Sequence, residues 1–368
     1  MLFENWKANR FRAGPDLAWS ATHFPLQREK IVVKDEPMRI YGPVPSRRFG
    51  LSLGIDLVPH KTCSFDCVYC QLGETDRLTI TPQRFYPLDD VLRDVEEALD
   101  EDPLPDVITL AGSGEPTLFE PLGDLFDGLK ALADIPILLI TNSSLLWRAD
   151  VAEAVHKTDI LAPSLDAGDP ETYRRVNLPH TDVPYDRLIG GLRDMTHAYA
   201  GEIRLEVMLI RGINDDEQSL EAIARQLETL RFDQVDINTP VRPPVPERGA
   251  LPCYADVLER AKNLFGPKAK AIGRFSSAPK GEMRSELSFD DVDKDIREML
   301  LRRPCTLGDI SASLHLEREV VTRSLERLTA RGLVKSRTND GGSENGGSDD
   351  RGTYFFVPGE NPTILPQQ

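Results

Sequence analysis

The sequence predicts an α/β protein: a partial (β/α)6 TIM-like barrel followed by a small C-terminal winged helix-turn-helix domain. Three observations support this fold class. Strand-like and helix-like segments alternate six times along the chain. The strand-like segments are apolar throughout, as buried parallel strands are. After about Ser285 the pattern changes to short amphipathic helices and a hairpin.

The six strand-like segments, in chain order, are residues 51–59, 107–112, 136–142, 160–167, 202–210 and 234–241. A segment with apolar residues at helical spacing follows each of the last five, and the first strand leads through a long loop to residues 88–100. Six such units suit an open barrel, although a doubly wound sheet has the same period. Both folds bind ligands at the carboxyl ends of their strands.

We divide the chain into four parts. Residues 1–37 show no clear period and are predicted to be an N-terminal extension without order, and residues 38–285 form the barrel. Residues 286–360 contain three amphipathic helices, a strand, a polar loop and a returning strand, which is the pattern of a winged helix. Thr306 is placed to cap the second of these helices, and Gly332 ends the third. Residues 361–368 are a tail.

Composition limits the compartment and the partners. No apolar run approaches the length of a membrane span, and the N-terminus carries charges where a signal peptide needs an apolar core. The protein is therefore expected to be cytoplasmic. A net charge of −16 argues against a broad nucleic-acid-binding surface. Five cysteines in 368 residues do not make a disulfide framework.

Three of those cysteines, Cys63, Cys67 and Cys70, lie within eight residues after the first strand. Thiolates select zinc or iron–sulfur clusters. With His60, the three cysteines supply the four ligands of a structural zinc site. Alternatively, they hold a [4Fe–4S] cluster in which one iron keeps an open position, because such a cluster normally takes four cysteines. Spacing alone leaves both interpretations open.

The spacing C-x3-C-x-aromatic-C, completed by Tyr69, resembles the motif of the radical S-adenosylmethionine (radical SAM) superfamily. Shorter motifs follow later strands in the same order, and they are Gly112-Ser113-Gly114-Glu115-Pro116, Thr141-Asn142-Ser143 and Ser164-Leu165-Asp166. The first is similar to the superfamily's Gly-Gly-Glu-Pro stretch, interrupted by Ser113. The resemblance extends from about Met38 to Arg284.

The resemblance implies two cofactors, a [4Fe–4S] cluster held by the three cysteines and S-adenosylmethionine (SAM) bound at the open iron. Reductive cleavage of SAM would generate a 5′-deoxyadenosyl radical that removes a hydrogen atom from a substrate. Glu115 would bind the SAM ammonium group. The residues expected to contact the rest of the cofactor are Tyr69 near the adenine, Gly112, Ser113 and Gly114 by backbone approach, Ser164 and Asp166 at the ribose, and Asn142 and Glu206 as lesser candidates.

The stretch around the cysteines is similar to a set of radical SAM proteins grouped with the tRNA wybutosine-synthesis enzyme. That enzyme carries a second cluster, for which Cys253 and Cys305 do not suffice, and both are expected to be small buried hydrophobes. Arg47, Arg48 and Arg242 are predicted to overhang the barrel mouth and to bind a carboxylate or phosphate substrate.

The winged helix has two interpretations. Its third helix and following strand carry a modest excess of arginine and lysine, which favours nucleic-acid contact, but its wing is acidic. The other interpretation is protein docking. The main hypothesis is thus a radical SAM enzyme that modifies tRNA or another RNA and is reduced by a low-potential flavodoxin or ferredoxin. The alternative is a metal- or cluster-bearing DNA-binding regulator.

Overall fold

The computed structural model describes residues 39–46, 48–100, 103–240, 250–272, 289–302, 305–314, 316–338 and 353–358. All of them belong to one compact unit. The predicted extension (1–37), the tail, Arg47 and Arg242 lie outside the described residues.

The elements are numbered in chain order. The strands are β1 Ile40–Ser46, β2 Gly50–Ile55, β3 Thr62–Cys63, β4 Arg77–Leu78, β5 Val107–Leu110, β6 Ile137–Thr141, β7 Ile160–Pro163, β8 Glu202–Met208, β9 Ile210–Arg211, β10 Gln234–Asn238, β11 Leu251–Pro252, β12 Ala269–Ala271, β13 Cys305–Thr306, β14 Lys335–Thr338 and β15 Thr353–Phe356. The helices are α1 Leu88–Leu99, α2 Leu122–Leu132, α3 Ala149–Val155, α4 Pro170–Asn177, α5 Tyr185–Ala198, α6 Glu217–Leu227, α7 Ala255–Phe265, α8 Phe289–Arg302, α9 Leu307–Leu314 and α10 Arg318–Ala330.

The main sheet has the order β1-β2-β5-β6-β7-β8-β10-β12 in the described part of the chain. Strand β1 is antiparallel to β2, and every other neighbouring pair is parallel. The parallel strands follow one another in chain order, without the reversal that defines a doubly wound sheet. The fold is therefore a partial TIM-like barrel, as predicted, to which β1 and β12 add strands at the two edges.

The strands are not apolar throughout, contrary to the sequence prediction. In β8, buried Ile203, Leu205 and Val207 pack into the main hydrophobic core beside the helices, and they alternate with more exposed, mostly polar residues. Strand β10 is buried along its length, but only Val235 and Ile237 join that core. Because successive side chains of a strand point to opposite faces, Gln234, Asp236 and Asn238 face the barrel interior.

Buried ion pairs lie inside the barrel. The turn between β1 and β2 lies at the amino end of the parallel strands, because β1 is antiparallel to the first of them, β2. From that turn Arg48 pairs with Glu206 of β8 and places Nη1 3.2 Å from Asp236 Oδ2 of β10. The Phe49 ring lies between the guanidinium groups of Arg48 and Arg204, with centroid distances of 5.3 and 4.5 Å. The prediction that Arg48 overhangs the barrel mouth is thus wrong.

The C-terminal elements form a separate small core. Helices α8, α9 and α10 pack with a three-stranded antiparallel sheet of order β13-β15-β14. Thr306 Oγ1 accepts a hydrogen bond from the Asp309 backbone N–H at 3.1 Å, and Asp309 Oδ2 accepts one from the Thr306 N–H at 3.0 Å. This reciprocal cap confirms the predicted start of α9. Gly332, with a φ of 70°, follows the end of α10 as expected.

Candidate functional site

The cysteine loop, residues 63–70, lies at the carboxyl end of the barrel strands. Cys63 ends β3, and a turn closed by a 3.0 Å hydrogen bond from the Cys70 N–H to the Cys67 carbonyl joins the other two cysteines. The loop is held against the end of α4, since the Asp66 and Val68 N–H groups donate to the carbonyls of Asn177 and Val176. The backbone thereby fixes the positions of all three thiols.

The three thiols are half-buried, and none of them forms a disulfide. Burial, together with the nearby Glu115 carboxylate, raises the pKa of Cys63 to about 12. Burial and Asp166 likewise raise the pKa of Cys67 well above its ordinary value. Metal binding by Cys63 and Cys67 must therefore displace their protons.

The positions of His60 and the three cysteines distinguish the zinc interpretation from the iron–sulfur interpretation. Among the residues that the structure describes, no three histidine, cysteine, aspartate or glutamate side chains are placed to bind one metal ion. His60, the fourth ligand that zinc needs here, is exposed to solvent. A mononuclear zinc site at His60 and the cysteines is thus not formed. A cluster differs, because each thiolate binds a different iron atom, and three soft donors in one loop fit a [4Fe–4S] group.

Glu115 is 2% exposed and lies between β5 and the end of β6. Its Oε1 accepts hydrogen bonds from Thr117 Oγ1 and Thr141 Oγ1, both at 2.6 Å, and its Oε2 accepts one from the Asn142 N–H at 2.7 Å. Burial raises the pKa of Glu115, and these hydrogen bonds oppose that shift. Glu115 is therefore not a solvated loop acid, and its Oε2 retains acceptor capacity for a further donor.

The glycines before Glu115 allow a close approach of two backbones. A Cβ atom at Gly114 would lie 1.8 Å from the Thr62 carbonyl oxygen, so no other residue fits at this position without moving the start of the cysteine loop. Gly112 has a φ of 154° and lies against Asp56. Asp56 also accepts a 2.5 Å hydrogen bond from Ser113 Oγ, which explains the serine between the glycines.

Tyr69 and Asp166, predicted to contact the adenine and the ribose of SAM, contact each other in this structure. The Tyr69 hydroxyl donates to Asp166 Oδ2 at 2.6 Å, and Asn177 Nδ2 donates to the same oxygen at 2.8 Å. Asp166 Oδ1 accepts from the Met208 N–H at 2.9 Å. Because protein donors occupy both oxygens of this buried carboxylate, its immediate role is to tie the cysteine loop to the barrel. Ser164 is half-exposed at the end of β7.

Of the remaining predicted residues, Asn142 lies beside the cysteines. Asn142 Nδ2 is 3.5 Å from Cys63 Sγ and 2.8 Å from Ser64 Oγ. Glu206 forms an ion pair with Arg48. Burial raises the pKa of Asp166, and the charge of nearby Glu206 adds to that shift. That Glu206 contacts the cofactor stays a prediction.

The sequence analysis missed three residues that the structure places at the site or near it. Lys61 Nζ and Asn177 Nδ2 contact Cys70 and Cys67, and Asn177 ends a helix, α4, that was not predicted. Asn238 ends β10 on its inner face, and its Oδ1 is buried without a hydrogen-bond partner among the described residues. A polar residue closing an interior-facing strand is the signal that could have identified it.

Comparison with known proteins gives the class. A model of the radical SAM superfamily matches residues 57–225. A UPF0026 protein of Methanocaldococcus jannaschii is 37% identical over 264 residues, which are 70% of this chain and 79% of that protein. The chain therefore belongs to the radical SAM superfamily, whose cofactors are a [4Fe–4S] cluster and SAM. Within that superfamily it is similar to the UPF0026 proteins.

Two further comparisons show how much of this chain and of each similar protein is matched. A protein of Brachyspira hyodysenteriae named GTPase Obg is 33% identical over 319 residues. These are 86% of this chain but 46% of that protein, so the chain spans about half the length of this relative. A solved structure of TYW1 with a lysine-pyruvate adduct is 16% identical, has a TM-score of 0.45, and matches 61% of this chain and 74% of its own.

Proposed function

We propose that this protein is a radical SAM enzyme in which Cys63, Cys67 and Cys70 hold a [4Fe–4S] cluster. The observation that carries the proposal is the cysteine loop itself, which gathers three half-buried thiols at the barrel mouth beside Glu115. The other two cysteines pack in hydrophobic cores, Cys253 in the barrel and Cys305 in the C-terminal region. Three ligands leave one iron without a protein ligand, and SAM would bind at that iron.

When bound, the cluster and SAM supply the electron transfer and the 5′-deoxyadenosyl radical that abstracts hydrogen from a substrate. The chain's own contribution is binding and orientation. Glu115 offers its Oε2 to the SAM ammonium group, and the backbone of Gly112, Ser113 and Gly114 would lie beside the bound SAM. Tyr69 and Asp166 keep the loop in place against the barrel. Asn142 and Ser164, at the ends of β6 and β7, remain candidates for contact with the cofactor.

Asn238 is the best candidate for contact with a molecule inside the barrel. Its buried Oδ1 has no hydrogen-bond partner in the described ranges, although buried polar atoms are almost always paired. A bound donor group would satisfy this oxygen. The identity of the substrate is open, and RNA, in particular tRNA, is the class that the C-terminal region suggests.

We assign the C-terminal elements to a winged helix, with α10 as its recognition helix, because three helices pack with a small antiparallel sheet. Exposed Arg318 and Arg323 lie on α10, but Arg327 binds Asp293 at 2.6 Å, and Arg331, which follows the helix, lies 3.9 Å from the same carboxylate. We assign this module the recruitment of a substrate or a partner at a soluble, cytoplasmic enzyme. No helix in the described part of the chain is long and apolar enough to cross a membrane. The electron would come from a low-potential flavodoxin or ferredoxin.

The test is iron and sulfide analysis of anaerobically purified protein, followed by EPR of the reduced sample with and without SAM. About four irons per chain, a spectrum that changes on SAM addition, and 5′-deoxyadenosine formed under reductant would support the proposal. Binding of bulk tRNA to the holoenzyme would support RNA as the substrate class. One zinc and no iron, with salt-sensitive binding to duplex DNA, would instead favour a metal-bearing regulator.

A further inference from the structure

Each of the three cysteine sulfurs accepts one hydrogen bond from a side-chain nitrogen. Asn142 Nδ2 is 3.5 Å from Cys63 Sγ, and Asn177 Nδ2 is 3.5 Å from Cys67 Sγ. Lys61 Nζ is 3.1 Å from Cys70 Sγ. The three donors come from separate parts of the chain: the loop before β3, the end of β6 and the end of α4. We call Lys61, Asn142 and Asn177 the sulfur-donor set.

The backbone is strained where these donors lie. Among the described residues, the non-glycine residues with positive φ are Lys61 at 53°, Ser143 at 70° and Leu178 at 42°. One is a member of the sulfur-donor set, and each of the other two directly follows a member. Such conformations are energetically unfavourable and persist where the surroundings enforce them, often at functional sites. The strain therefore coincides with the placement of the donors.

Lys61 differs from the two asparagines because it carries a charge. It is only 3% exposed, and lysine is almost never so buried unless it is paired. Its backbone is fixed on both sides, since its N–H donates to the Ser113 carbonyl and its carbonyl accepts from the Arg77 N–H. In the described part of the chain, Cys70 Sγ is its ammonium group's polar contact, and no carboxylate lies within ion-pair distance. A buried cation of this kind requires an anionic partner.

We infer that Lys61 sets the reduction potential of the cluster by donating a charged hydrogen bond to Cys70. The inference rests on the proposed function, because the thiolates of a bound cluster supply the missing negative charge. The step concerned is the transfer of one electron from the low-potential donor, which is oxidised, to the cluster, which gains one negative charge. A cation and N–H donors at the sulfurs favour the more negative form, so they raise the potential.

The same cation counteracts two buried acids. Glu115 and Asp166 lie close enough to Cys63 and Cys67 to raise the pKa of these thiols, after the larger effect of burial. Negative charge at these positions opposes the addition of an electron. Lys61 would keep the cluster reducible despite both carboxylates, in a chain whose net charge is −16.

The test is an EPR-monitored redox titration of the reconstituted holoenzyme, comparing wild type with Lys61→Met, Lys61→Arg and Lys157→Met. Lys61→Met keeps the stem of the side chain and removes the charge. We expect its ratio of reduced to oxidised cluster at a fixed potential to fall by about tenfold, which equals 59 mV for a one-electron couple. Lys61→Arg, which keeps the positive charge, should retain most of the wild-type reduction potential. Lys157→Met, which removes an exposed lysine, should change nothing.

A second measurement uses wild-type protein and needs no variant. Wild-type protein labelled with ¹⁵N-lysine should show a weak ¹⁵N coupling to the reduced cluster in pulsed EPR, because Lys61 Nζ contacts a ligand sulfur. Absence of this coupling, or a potential in Lys61→Met equal to that of Lys157→Met, would overturn the inference. Neither result would affect the proposed function, which fails only if the wild-type protein binds no four-iron cluster.

Discussion

Replacing Arg48 by methionine tests whether the barrel interior is held by charge. Arg48 is the cation that faces both Glu206 and Asp236, and the Asp236 side chain is 0% exposed. Removing one partner of a buried ion pair leaves an uncompensated charge and costs about 3–5 kcal/mol. Methionine retains most of the apolar stem of Arg48, so the loss reports mainly on charge. We expect the free energy of unfolding to fall by about this amount.

The assay is urea denaturation of the protein, followed by circular dichroism, beside a matched exposed pair. Lys130 contacts Asp159 at 3.1 Å, but the two side chains are 45% and 42% exposed. Lys130→Met should therefore cost no more than about 1 kcal/mol. The double variant Arg48→Met/Glu206→Gln should recover part of the loss, because it removes the carboxylate that has lost its cation, whereas Asp236 keeps Arg204 at 3.8 Å. A deficit in Arg48→Met no larger than that of Lys130→Met would refute the electrostatic account.

The other predictions concern the site and the C-terminal region. Cys67→Ala should abolish iron binding while the circular dichroism spectrum stays unchanged. The control variant Cys253→Ala replaces a buried cysteine outside the cysteine loop and should still bind iron. Gly114→Ala should lower iron content and SAM affinity by at least about tenfold, because its Cβ would lie 1.8 Å from a backbone carbonyl. In the matched variant Gly190→Ala, the new Cβ would have no atom within 4 Å, so the substitution should stabilise α5 by about 0.5–1 kcal/mol. Although burial raises the pKa of Asp293, hydrogen bonds from an arginine and a serine outweigh it and hold the pKa below its usual value. Its stabilising effect should be present above about pH 4 and lost as pH falls through the folded pKa, and Asp293→Asn should remove that pH dependence from urea unfolding.

Much of the site followed from the sequence because its motifs are local. The spacing of the cysteines fixes them in one loop, and short polar motifs after successive parallel strands must meet at one edge of the sheet. Cys63, Cys67, Cys70, Glu115 and Asn142 were found in this way, and the structure brings them together. The pairing of Glu206 with Arg48 did not follow from the sequence, since a glutamate in a strand gives no indication of which cation will neutralise it.

What the sequence determined by itself is the class of fold and the location of the cysteine loop, since periodicity and turn residues act over a few positions. What only the tertiary structure decided is how charges pair across the barrel. Arg48 meets Asp236 across 188 residues of chain, and Asn177 reaches Cys67 across 110. Lys61 lies near Cys70 in sequence, yet its burial without a carboxylate partner depends on packing from distant segments. Local patterns do not encode such contacts, because their energies arise only after the folded chain has excluded water.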